Sequence, residues 1–118
     1  MSLQFLLQVY AQFIEKGTNK PLSGDQIICR LYDKDMLEDD LLGTVIPDAS
    51  GKVHFSIDPK VYKDFDSFLE RFPDLYIEVE AYGEIVFKTP VAKNISAIEK
   101  GSFNFKQGEV VDLGTFLV

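Results

Sequence analysis

Apolar and polar residues alternate from the first stretch of the chain. Phe5, Leu7, Val9, Ala11 and Phe13 stand on one parity, against Gln4, Leu6, Gln8, Tyr10 and Gln12 on the other. Successive side chains of an extended strand point to opposite faces, so this period predicts a strand with one buried face. Such a face must be covered by a second layer. The pattern returns at Ile27, Cys29 and Leu31, at Val53, Phe55 and Ile57, and at Leu75, Ile77, Val79 and Ala81. Repeated at short intervals, it constrains the chain to be mostly β.

The stretches between these runs carry turn chemistry. Gly17, Asn19, Pro21 and Gly24 mark a turn region over Lys16–Asp25. Leu41–Ile46 reads as a third strand, closed by Pro47, which cannot donate to a ladder. Asp48-Ala49-Ser50-Gly51 reads as a tight turn, with Gly51 free to take positive φ. Tyr82-Gly83-Glu84 reads as a hairpin turn into Ile85–Lys88. Phe103 and Phe105 mark a further strand, and Val110–Val118 the last. One stretch changes period: Val61, Phe65, Phe68, Leu69 and Phe72 form a single stripe at helical spacing. With Asp58 as cap and Pro59 at the first position, a short helix is expected over Pro59–Arg71, within Pro59–Phe72. Many short strands with frequent turns predict an all-β antiparallel sandwich, seven or eight strands with one short helix, as one domain over residues 1–118.

Composition narrows function. At 118 residues with 46% hydrophobic content, the chain can bury roughly two-thirds of its unfolded surface and needs no metal or disulfide to fold. A net charge of -7 opposes binding to nucleic acid and to anionic membranes, because that affinity comes from Lys and Arg. No apolar run reaches membrane-spanning length. Cys29 is the single cysteine, so no internal disulfide forms, and its inward parity makes it a small core hydrophobe. His54, the single histidine, shares the outward parity of Lys52 and Ser56 and is expected in solvent. The start lacks the basic flank of a secretory signal. A cytoplasmic location is favoured, with export open if Met1-Ser2-Leu3 replaces a removed leader.

Three groups of residues carry a resemblance. Pro21-Leu22-Ser23-Gly24, Ile28–Asp33 and the spaced set Asp48, Gly51, Val53 and Phe55 are similar to the transthyretin-like and carboxypeptidase-regulatory-like β-sandwich families. Asp39-Asp40-Leu41-Leu42-Gly43-Thr44 and Asp112-Leu113-Gly114-Thr115 look most like the transthyretin-like branch. The resemblance spans nearly the whole chain and implies a Greek-key, prealbumin-like sandwich within the broad immunoglobulin-like class. It also implies one short helix, which here falls earlier than in transthyretin itself. Within that fold, hydroxyisourate hydrolases use several histidines and a Tyr-Arg-Gly-Ser ending; here there is His54 alone and Thr115-Phe116-Leu117-Val118. The related intradiol dioxygenases bind iron through two Tyr and two His, which one His cannot supply. No phosphate loop and no Ser-His-Asp or Cys-His set is present. The expectation is therefore no enzyme and no cofactor, but a binding or interaction module whose protein or small-molecule partner is unspecified.

The acidic run Asp33, Asp35, Glu38, Asp39 and Asp40 leaves two readings open. One is a solvated turn. The other is a weak Ca²⁺ site formed by Asp33, Asp35, Asp39 and Asp40, since Asp33-Lys34-Asp35 followed by Asp39-Asp40-Leu41-Leu42-Gly43 also resembles a calcium-binding loop of C2 domains. Ca²⁺ wants six to eight oxygens, and no second loop offers a comparable pair of Asp. A Ca²⁺-dependent C2-like docking domain is the alternative function. Tyr10, Tyr32, Tyr76 and Tyr82 fall on outward parity; they read first as ordinary strand-facing residues, partly buried under the helix, and second as a binding surface. Val110–Val118 is apolar on both parities, which predicts an uncovered edge and a homodimer formed through it.

Overall fold

The computed structural model of the chain describes residues 7–34, 38–57, 74–92 and 110–118. The helix expected within Pro59–Phe72 and the strand expected at Phe103 and Phe105 lie outside the described residues. Those residues form seven strands: β1 Leu7–Ile14, β2 Ile27–Asp33, β3 Asp40–Val45, β4 Lys52–Ile57, β5 Leu75–Ala81, β6 Glu84–Lys88 and β7 Val110–Leu117. They make two sheets, β4-β1-β7 and β3-β2-β5-β6. The hairpins β2–β3 and β5–β6 stay within one sheet, and the other links change sheets. The result is a β-sandwich.

The inward parities read from sequence form its core. Leu7, Val9, Phe13, Val53 and Phe55 come from one sheet; Ile27, Cys29, Leu31, Ile77 and Val79 come from the other, and all are buried. Each fully buried Leu, Ile or Phe stabilises the fold by roughly 1.5–3 kcal/mol relative to an exposed one.

Two points of topology depart from expectation. β1 pairs with β4 antiparallel but with β7 parallel, so the sandwich is antiparallel in all its described ladders except this one. A hairpin forces its strands antiparallel; β1 and β7 are separated by nearly the whole chain, so no hairpin fixes their direction. In an immunoglobulin constant-type sandwich the first, second, fourth and fifth strands share a sheet. Among the described strands, β1 and β4 lie in one sheet and β2 and β5 in the other.

Bulges account for the runs that broke alternation. Tyr10 pairs with Asp112 and Gln12 with Thr115, three steps on β7 for two on β1. The extra residue, with Gly114 at φ 110°, reverses parity, so Val111 and Phe116 both turn toward the core although they are five apart. The reversal brings Val111 and Phe116 to the same face, while Val110 and Leu117 stay 55% and 56% exposed on the other, so β7 does carry apolar residues on both faces. On β3, Leu31 faces Gly43 and Tyr32 faces Leu41, leaving Leu42 as the extra residue. Gly43 is small because the opposite sheet presses on it: a Cβ there would lie 3.2 Å from Phe55 Cδ1 and 3.3 Å from Ile57 Cδ1.

The Asp48–Gly51 turn forms as read. Asp48 Oδ1 accepts from the N–H groups of Ser50 at 2.8 Å and Lys52 at 3.0 Å. Gly51 sits at φ 76°, and a Cβ there would come 2.2 Å from the carbonyl oxygen of Phe13. That contact fixes the turn against β1, where Phe13 N–H donates to the Gly51 carbonyl at 2.8 Å.

Candidate functional site

The two side chains with intrinsic reactivity are held apart. Cys29 is fully buried in β2, and burial pushes its thiol up to about 12, with Arg30 opposing weakly. A thiol so placed is almost never the reactive thiolate. His54 is exposed on β4, as its parity implied. Its ring is not isolated, however. It stacks on Tyr10 of β1, centroids 4.4 Å apart and planes within 4°, and its Nε2 bonds the side-chain oxygen of Gln8. Ser56 Oγ donates to the same oxygen at 2.9 Å. The hydroxyl and the imidazole therefore meet on an amide rather than on each other, so this is not a nucleophile–base pair.

These contacts organise the outer face of the β4-β1-β7 sheet. Gln8, Tyr10 and Gln12 face out from β1 between Ser56, His54 and Lys52 of β4. Gln12 donates to the Ser50 carbonyl at 3.0 Å and accepts from Thr115 Oγ1 at 3.3 Å. Beside them, Tyr10, Gln12, Lys52, Asp112 and Thr115 line a shallow hollow of about 250 Å³. The face is ordered, polar and carried on strands, the elements that hold side chains most firmly. Sequence reasoning placed Tyr10 and His54 outward but missed their union, which needs the Tyr10–His54 register. The shared parity of Gln8, Gln12 and Tyr10 was the available signal.

The four-stranded sheet is organised differently. Arg30 sits between Glu78 and Glu80, at 3.4 and 2.9 Å. Tyr32 stacks on Tyr76, centroids 5.3 Å apart and planes within 16°. Tyr76 is only 8% exposed, which sets it apart from the surface tyrosines: the Tyr32 ring lies against it and Asp39 accepts its hydroxyl. Tyr82, at the tip of the β5–β6 hairpin, is 78% exposed as expected.

The acidic residues meet at this end of the sheet. Asp33 and Asp40 face each other across β2 and β3. Asp33 Oδ1 accepts from the Asp74 N–H at 3.1 Å. Asp39 Oδ2 accepts from the Tyr76 hydroxyl at 2.5 Å, with Lys34 Nζ 3.9 Å away. Burial first, then the bond to Asp39, raises the Tyr76 phenol well above its ordinary value. Asp35 lies outside the described residues. Among the described residues, no group of three or more Asp, Glu, His or Cys is disposed to hold a metal ion. What the structure does show is carboxylates engaged with protein donors.

No protein-family model matches the sequence, and no curated protein does. Solved structures do. A 9R-lipoxygenase from Cyanothece superposes with a TM-score of 0.59 at 23% identity, over 96% of this chain and 16% of that one. A DUF3823 family protein from Bacteroides uniformis superposes at 0.51 with 9% identity, over 96% of this chain and 43% of that one. The chain thus spans less than half of either structure. Among the described residues, no helix is long and apolar enough to cross a membrane. At these identities the likeness is one of fold, and the fold shared is a β-sandwich.

Proposed function

We propose that the chain is a non-enzymatic binding module of the transthyretin-like type, presenting the outer face of the β4-β1-β7 sheet to a partner. One observation carries the reading: Gln8, Tyr10, Gln12, His54 and Thr115 are locked to one another or to backbone on that face. Side chains ordered before binding lose little further entropy on complex formation. The burial of Cys29 and the sharing of Gln8 by His54 and Ser56 support the absence of catalysis. The small share of each neighbouring structure that the fold occupies fits a module used within larger proteins.

The test compares wild type with the double change Tyr10→Ala and His54→Ala, a pair that removes the stack but no core side chain. Quantitative capture from extract should yield a partner retained by wild type and lost by the variant, with neither form hydrolysing nitrophenyl esters above background. A partner set unchanged by the double change, or ester turnover lost with it, would reject the reading. The C2-like alternative is Ca²⁺-dependent docking through Asp33, Asp35, Asp39 and Asp40; we rank it second because Asp33 and Asp39 accept bonds from protein donors.

A further inference from the structure

On the outer face of the three-stranded sheet, β7 carries short side chains beside the long ones of β1. Tyr10 stands opposite Asp112, and Gln12 opposite Thr115. Gly114 lies between them, and a Cβ there would meet nothing within 4 Å. The step from β1 down to these short residues is the hollow of about 250 Å³, with Lys52 of β4 as a further wall. His54, on the β4 side, covers one face of the Tyr10 ring. β4 and β7 flank β1 on opposite sides, so the other face of that ring is turned toward β7 and the hollow. A bare aromatic face takes an apolar ring against it.

The polar groups beside the ring are of both kinds. Gln12 Nε2 gives one hydrogen to the Ser50 carbonyl and keeps a second. Thr115 Oγ1 donates to Gln12 and keeps lone pairs to accept. Asp112 Oδ1 accepts from the Gly114 N–H at 2.9 Å, and its second oxygen is a further acceptor. Among the described residues, no carboxylate pairs with Lys52 Nζ. The hollow thus offers donors and acceptors side by side, and the charges of Lys52 and Asp112 cancel. That mixture selects the ligand. A phosphate only accepts, and Asp112 repels it. An amine only donates, and Lys52 repels it. A nucleic-acid strand brings phosphates to a chain of net charge -7. A purely apolar ligand leaves these groups dry and unpaired. A hydroxyl both donates and accepts. A sugar ring carries several hydroxyls around an apolar C–H face, which matches an aromatic wall with convergent polar groups.

We propose that this hollow binds a neutral saccharide, one sugar ring lying against Tyr10 with its hydroxyls shared among Gln12, Lys52, Asp112 and Thr115. The inference rests on the reading of the β4-β1-β7 outer face as the binding face and names the chemistry of its ligand. The test is calorimetric titration with the neutral oligosaccharides cellohexaose, maltohexaose and xylohexaose, up to about 10 mM. Wild type should bind at least one of them. Tyr10→Ala removes the wall and should weaken that binding about tenfold, whereas Tyr10→Phe keeps the ring and should stay within about twofold. Asp112→Asn keeps an oxygen for the Gly114 N–H but turns the second acceptor into a donor, and should also weaken binding about tenfold. Asp112→Asn is nearly isosteric, so it still reports should Tyr10→Ala disturb folding. Binding of none of the three sugars, or binding indifferent to Tyr10→Ala or to Asp112→Asn, overturns the proposal. Capture of a partner from extract, lost with Tyr10→Ala and His54→Ala, would then leave the face as a docking face and remove only its saccharide ligand; capture indifferent to that pair would remove both.

Discussion

Tyr10–His54 and Tyr32–Tyr76 are the same device used twice. Each is a pair of rings facing across neighbouring strands, near parallel, on the outer face of a sheet. Their surroundings differ. Tyr10 is 37% exposed and its stack is held by neutral amide and hydroxyl groups, whereas Tyr76 is 8% exposed and is closed over by Asp39. The first pair adds order to a surface that is already solvated. The second fastens Asp39 to the sheet and belongs to the structure rather than to the surface. An outward parity therefore says where a side chain starts, and its neighbours in space decide whether water reaches it.

The largest test of this contrast is truncation. Tyr76→Ala should destabilise the fold by about 3 kcal/mol, as a buried aromatic does, and Tyr10→Ala by about 0.5–1 kcal/mol, as an exposed cross-strand pair does. Urea unfolding would measure both, and equal values would break the comparison. Cys29 offers an independent readout, because its buried thiol labels only when the sandwich opens. In the regime where labelling follows the opening equilibrium, Tyr76→Ala should accelerate it about a hundredfold and Tyr10→Ala about threefold.

Removing the hydroxyl alone should act less. Tyr76→Phe deletes the bond to Asp39 and should cost about 1–2 kcal/mol near neutral pH, since the carboxylate loses a donor. It should also flatten the alkaline response. The native phenol is raised by burial and by Asp39, so the native state holds its proton where the unfolded state has lost it. The associated stability is complete below the unfolded value of about 10 and drains away as pH climbs through the native value. Urea midpoints at about pH 7 and about pH 11 should fall further in wild type than in Tyr76→Phe.

The smallest effect concerns calcium. With Asp33 and Asp39 engaged, Ca²⁺ must displace protein donors, and binding no tighter than about 1 mM is expected. At about 5 mM Ca²⁺ the stabilisation is then about 1 kcal/mol, or roughly 3 to 6 °C in melting temperature. Melts in EDTA and in Ca²⁺ would measure it. A shift above about 10 °C that disappears in Asp33→Asn with Asp39→Asn would restore the C2-like alternative.

The strands themselves were legible because burial on one face imposes a period of two. Val53, Phe55 and Ile57 needed no partner to be identified as inward. The turn at Asp48–Gly51 was legible for a related reason: its hydrogen bonds are local and its glycine is obligatory. The bulges were not. Leu42 and the extra residue of β7 are defined by counting against another strand, and that strand is chosen by the fold. The outer-face groups were hidden for the same cause, since Gln8 and Ser56, or Tyr32 and Tyr76, become neighbours only in register.

Local chemistry, then, belongs to the sequence. Alternating side chains determine which face of each strand is dry, Gly51 and Asp48 determine where the chain turns, and parity alone determines that Cys29 points inward and His54 outward. Tertiary structure decided the rest: the parallel seating of β7 on β1, the burial of Tyr76 beneath Asp39, and the union of Tyr10 with His54. Each depends on which strands lie side by side and in what register, and pairing between distant strands is set by the packing of the whole core rather than by the residues that meet.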